Sequence, residues 1–134
     1  MSNLLVTGGA GFIGANFVRR YAAQHPQATL VVLDLLTYAG NLASIDDIVD
    51  GKRVHFVRGD IGDDALVLDL LQRHDIDTLV HFAAESHVDR SIHDPGQFVQ
   101  TNVVGTYALL ESARQFWTAE PPANRAEVRF HHVS

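Results

Sequence analysis

The chain has no cysteine, which excludes disulfides, thiolate metal sites and a cysteine nucleophile. It has one lysine, Lys52. Lys+Arg number 10 against 16 Asp+Glu, a formal charge of -6 with no basic cluster. A surface built to neutralise nucleic acid or anionic lipid is therefore not expected, and an anionic ligand has to be held by local groups. No apolar run approaches the roughly 18 residues of a membrane span. The start, MSNLLVTGG, lacks the basic, apolar and small-residue sections of a leader. These absences lead to the expectation of a soluble, cytoplasmic protein without nucleic-acid or membrane partners.

What is present is apolar material, 46% of 134 residues, enough for the core of one domain spanning 1–134. Short runs rich in β-branched residues recur at Leu4 to Thr7, Thr29 to Asp34, Val54 to Val57, Thr78 to Ala84 and Val128 to Val133. Near-continuous hydrophobicity marks strands covered on both faces. Between them lie stretches with helical spacing. FIGANFVRRYAAQ offers Phe12, Ile13, Phe17 and Tyr21, and ALVLDLLQRH offers Leu66, Leu70 and Leu71. A last helix is signposted by Asp94 as N-cap, Pro95 at N1 and Gln97 at N3, and is expected to run to about Trp117. It carries Phe98, Leu109 and Phe116 on one side and Val99, Val103, Leu110 and Trp117 on another. One side covers the sheet; the other suits a subunit interface or a further covering segment. Alternating strands and helices predict α/β architecture with a parallel sheet.

The turn after the first strand, LLVTGGAGFIG, places Gly8, Gly11 and Gly14 before a helix. Glycines there allow a tight turn and close backbone approach, and the helix N-terminus attracts a pyrophosphate. Asp34 ends the second strand 20 residues after Gly14, where a dinucleotide fold needs a carboxylate for the ribose hydroxyls. Its neighbours Leu35, Leu36 and Thr37 include no arginine for a 2′-phosphate, so NAD is favoured over NADP. After the third strand, Asp60 and Ile61 are placed beside the adenine, although a loop and cap role is the plainer reading. Asp63 or Asp64 suits the cap better than Asp60. Together these features predict a Rossmann-type doubly wound sheet, its first five strands ordered βαβαβαβαβ along the chain.

The stretches TGGAGFIGANFVRR, LDLLTYAGNLASI, HFAAESHVDRSI, QTNVVGTYALLE and RFHHVS resemble the extended short-chain dehydrogenase/reductase family, and within it the dTDP-glucose 4,6-dehydratases. The glycine motif is shared widely among nucleotide-sugar enzymes, whereas TYAGN and AAESHVDRSI are more particular. The resemblance implies NAD contacts at Phe12, Ile13, Asp34, Leu35, Leu36, Thr37, Asp60 and Ile61. They continue at Phe82, Ala83, Ala84, Ser86 and Thr101, with Ser86 also touching the sugar nucleotide. Leu35 departs from the lysine usual there. The resemblance further implies dTDP-glucose as substrate, oxidation at C4, loss of water across C5 and C6, hydride return to C6, and a homodimer. Epimerases and decarboxylases sharing the same front portion, and a binding module without catalysis, are the alternatives.

The resemblance also shows what is missing. The family's redox step uses a tyrosine base with a lysine four residues later, but Ile48 stands four residues before Lys52. The acid triplet used for elimination is expected directly after Ser134. The catalytic set is therefore none within these residues, and the chain is expected to be an inactive cofactor portion, truncated before the catalytic half. Glu85, His87, Asp89 and Arg90 are as readily salt-bridge or loop anchors as ligand contacts. His81, His87, His131 and His132 invite a metal or acid/base reading. However, His131 and His132 are neighbours in a strand and face opposite ways, and no ligand spacing accompanies them, so no metal is expected. Ser134 lacks the G-x-S-x-G setting of a hydrolase nucleophile.

Overall fold

Aliphatic and β-branched runs form five strands: β1 (Asn3–Thr7), β2 (Thr29–Asp34), β3 (Val54–Arg58), β4 (Thr78–His81) and β5 (Arg129–His132). The helices are α1 (Phe12–Gln24), α2 (Asp64–Arg73) and α3 (Thr106–Ala119), with a 3-10 turn at Asp46–Ile48. The computed structural model describes residues 2–8, 12–35, 45–82, 104–119 and 128–133. The strands pair in parallel in the order β3-β2-β1-β4-β5. Strand order thus reverses at β1, and the crevice beyond the carboxyl ends of β1 and β4 is where such sheets take ligands.

Both faces of the sheet are covered, which explains the unbroken hydrophobicity of β1 and β2. On one face Leu5, Val31, Leu33 and Leu79 meet Val67, Leu70 and Leu71 of α2 and Leu109, Ala113 and Phe116 of α3. On the other, Leu4, Val6, Leu30, Val32 and Val80 meet Ala15, Val18 and Ala22 of α1. Small residues on the inward side of α1 let it lie close to the sheet. Of its larger groups, Ile13 is 65% exposed, whereas Phe17 and Tyr21 are half-buried and pack against the same cluster, with ring centroids 5.6 Å apart. Of the large residues that share helical spacing in the sequence, Ile13 thus turns outward while Phe17 and Tyr21 meet the core.

Several boundaries also shift: β1 starts one residue early, at Asn3, and β5 covers Arg129–His132 rather than Val128 to Val133. β4 is assigned to Thr78–His81, with Phe82 still donating its N–H to the Thr7 carbonyl at 2.8 Å, and the expected continuation to Ala83 and Ala84 lies outside the described residues. β3 extends to Arg58, which pairs with Asp34. α2 begins and ends one residue early, capped by Asp63, whose carboxylate accepts the Leu66 N–H at 3.2 Å. Asp63→Ala is expected to cost about 1 kcal/mol, read as a lower urea midpoint with unchanged slope. Trp117 belongs with the inward side of α3, since its indole N–H donates to the Ile76 carbonyl at 2.9 Å. The outward stripe is Val104, Tyr107 and Leu110. The helix start expected at Asp94 to Gln97 lies outside the described residues.

Candidate functional site

Four adjacent strands end in the candidate groups, all at one edge of the sheet. Gly8 follows β1 with φ 74°, a conformation that a side chain disfavours. Its N–H donates to the Leu33 carbonyl at 2.9 Å, so the glycine turn starts tied to β2. Asp34 closes β2 largely buried, and its carbonyl accepts the Gly59 N–H at 3.1 Å. That bond brings the end of β3 beside the end of β2. Asp60 then folds back on its own turn, its carboxylate accepting the Gly62 N–H at 2.8 Å. Ile61 is buried in the core on the α2 side. Phe82 follows β4, half-buried, its ring 5.5 Å from that of Phe17.

Of the residues predicted to hold a cofactor, Gly8, Asp34, Leu35, Asp60, Ile61 and Phe82 lie at the carboxyl edge. Ile13 and Gly14 lie in the first turn of α1, together with Phe12, of which only the backbone is described. Leu35 is exposed at the mouth of the crevice. Gly11, Leu36, Thr37, Ala83, Ala84, Ser86 and Thr101 lie outside the described residues, as do Glu85, His87, Asp89, Arg90 and Ser134. The arrangement fits a dinucleotide chemically. Gly8 leaves β1 shortly before α1 begins, and a carboxylate lies one strand away, where a ribose would sit.

Two features escaped the sequence reading. Arg58 is the register partner of Asp34 on the neighbouring strand, so an arginine occupies the adjoining strand end although residues 35–37 supply none. Only strand register exposes that pairing. The second is a buried polar bridge. His81 Nδ1 lies 2.6 Å from the Thr7 hydroxyl, and its Nε2 lies 2.8 Å from the Thr106 hydroxyl. His132 stacks on the same ring with centroids 5.1 Å apart. Burial, followed by repulsion from His132, lowers the His81 pKa to about 4, so the ring is neutral at neutral pH. His131 turns to the opposite face, beside Val80 and Phe82, as strand alternation requires. No cluster of three or more metal-ligating side chains occurs among the described residues.

Comparison with known proteins agrees with this arrangement. The family model for GDP-mannose 4,6 dehydratase matches residues 5–134. A dTDP-glucose 4,6-dehydratase of Xanthomonas campestris pv. campestris is 56% identical across 100% of this chain, which spans 38% of that protein's length. Among solved structures, the dTDP-glucose 4,6-dehydratase of Streptomyces venezuelae, with NAD bound, superposes with a TM-score of 0.78 at 50% identity. The match covers 84% of this chain and 36% of that one. A UDP-glucose 4-epimerase from Brucella ovis in complex with NAD gives 0.74 at 34% identity, covering 88% and 34% respectively. With the family model running from the middle of β1 to the last residue, the chain belongs to the GDP-mannose 4,6 dehydratase family.

Proposed function

We propose that this chain is the NAD-binding portion of a dTDP-glucose 4,6-dehydratase, forming one unit over residues 1–134. The observation that carries the reading is the alignment of Gly8, Asp34, Asp60 and Phe82 along the carboxyl ends of four neighbouring strands. In this reading Gly8 and the start of α1 receive the pyrophosphate, and Asp34 accepts from the adenosine ribose hydroxyls. Asp60 and Ile61 border the adenine, and Phe82 leads towards the nicotinamide end. Gly11, Gly14, Phe12, Ile13, Leu35, Leu36, Thr37, Ala83, Ala84, Ser86 and Thr101 complete the proposed set. Bound NAD supplies a hydride acceptor that later returns the hydride; the chain's own residues bind, orient and shield it.

The dehydratase reading is preferred to an epimerase one because TYAGN and AAESHVDRSI accompany the glycine motif, and because identity is 50% to the dehydratase structure against 34% to the epimerase. The exposed stripe Val104, Tyr107 and Leu110 supports pairing of α3 with a second copy of the protein. A cytoplasmic setting accords with the absence of cysteine.

Calorimetric titration of the 134-residue chain tests the reading. NAD is expected to bind on the order of a hundredfold more tightly than NADP, because a 2′-phosphate beside the Asp34 carboxylate places like charges together. No dTDP-glucose turnover is expected, since no tyrosine in the chain precedes a lysine by four residues. Equal affinities would remove the role given to Asp34. Turnover by this chain would remove the assignment as a cofactor portion.

A further inference from the structure

We propose that His81 is a positioning residue that ties the glycine turn and the chain leaving β4 to helix α3, so that docking of α3 sets the shape of the crevice. Its functional half rests on the NAD reading above. The bridge joins three elements distant in sequence: Thr7 at the end of β1, His81 at the end of β4 and Thr106 in the first turn of α3. His81 and Thr7 are 0% exposed and Thr106 is 9% exposed, so both bonds are shielded from bulk solvent.

A neutral imidazole has one N–H and one lone pair. One threonine hydroxyl therefore accepts while the other donates, and the two bonds are linked through the ring. Immediately beyond the bridge lie two main-chain contacts that form the crevice floor: Gly8 N–H to the Leu33 carbonyl, and Phe82 N–H to the Thr7 carbonyl. One layer below, the same face is filled by Leu5, Leu79 and Leu109. Aliphatic packing is thus sufficient to seat α3 on the sheet, and the polar triad stands only where the sheet meets the crevice. A satisfied buried polar network fixes one arrangement, whereas an aliphatic contact tolerates sliding.

The test uses the 134-residue chain with Thr106→Val, which removes one hydroxyl at constant shape, and with Thr7→Val as a second variant. Amide hydrogen exchange is read without cofactor at Gly8, Phe82 and Leu30; the Leu30 N–H is bonded to the Arg53 carbonyl at the far end of the sheet. Exchange at Gly8 and Phe82 is expected to quicken about tenfold with Leu30 unchanged, and NAD to bind about tenfold more weakly. Uniform acceleration at all three amides, or local acceleration with unchanged NAD affinity, overturns the proposal. A wild-type chain without NAD affinity overturns the cofactor reading instead, and the exchange pattern alone then decides the positioning.

Discussion

Asp34→Ala is expected to weaken NAD binding about a hundredfold, because two charge-assisted hydrogen bonds at about 1.5 kcal/mol each are lost together. The fold is expected to survive, because the link to the end of β3 runs through the Asp34 main-chain carbonyl and the Gly59 N–H. The loss should therefore appear as a raised calorimetric Kd with an unchanged circular-dichroism spectrum. NADP affinity should fall much less than NAD affinity, since the same substitution removes the charge that opposes a 2′-phosphate. Loss of less than about threefold for NAD would mean that the carboxylate closes the strand and does nothing for the ribose. Arg58, paired with Asp34 across the β2–β3 register, is the group to vary next in that event.

Stability should also fall with acid, and His81 should account for much of the fall. The folded pKa, about 4, lies below the ordinary value of 6.5 that the unfolded chain would show. A group shifted in this direction binds its proton more readily when unfolded. Its contribution is complete above pH 6.5, declines as the pH falls, and is exhausted at about pH 4. The difference in pKa corresponds to on the order of 3 kcal/mol. Among the described residues, His132 of β5 is the titratable neighbour facing the ring; Thr7 of β1 and Thr106 of α3 are uncharged. His74, whose pKa is also lowered by burial, contributes in the same sense. The check is a comparison of urea midpoints across pH 7 to 4 for wild type and His81→Gln. The variant should be less stable at pH 7 yet lose less on acidification, and parallel curves would assign the acid sensitivity to other groups.

Much of the fold was legible because the signals are local. β2 and α1 occupy the predicted residues, since TLVVLD stops at a carboxylate and FIGANFVRRYAAQ follows a glycine turn. Asp63 was readable as a cap for the same reason. What was not legible depends on neighbours. Spacing picks out Phe17 and Tyr21, which do pack against the core, but it does not say how near α1 lies to the sheet, and so misses that Ala15, Val18 and Ala22 take the buried positions. The inward turn of Trp117 depends on the Ile76 carbonyl, which is remote in sequence. At the site, Gly8 and Asp34 announce themselves by spacing. The bridge through His81 and the Asp34–Arg58 pairing exist only once parallel register is set.

The order of the strands in space, compared with their order in synthesis, has a consequence for how the molecule is made. Of the five strands described, β1 is made before the others, yet it lies between β2 and β4, and its second partner ends only at His81. Parallel pairing over such separations closes large loops before any contact rewards the closure, which makes it slow. Until then Leu4, Leu5 and Val6, all buried in the finished sheet, have one open edge. The nascent chain is thus most exposed to misassociation during the interval between Asp34 and His81, and it is there that a chaperone holding an apolar strand would have its use.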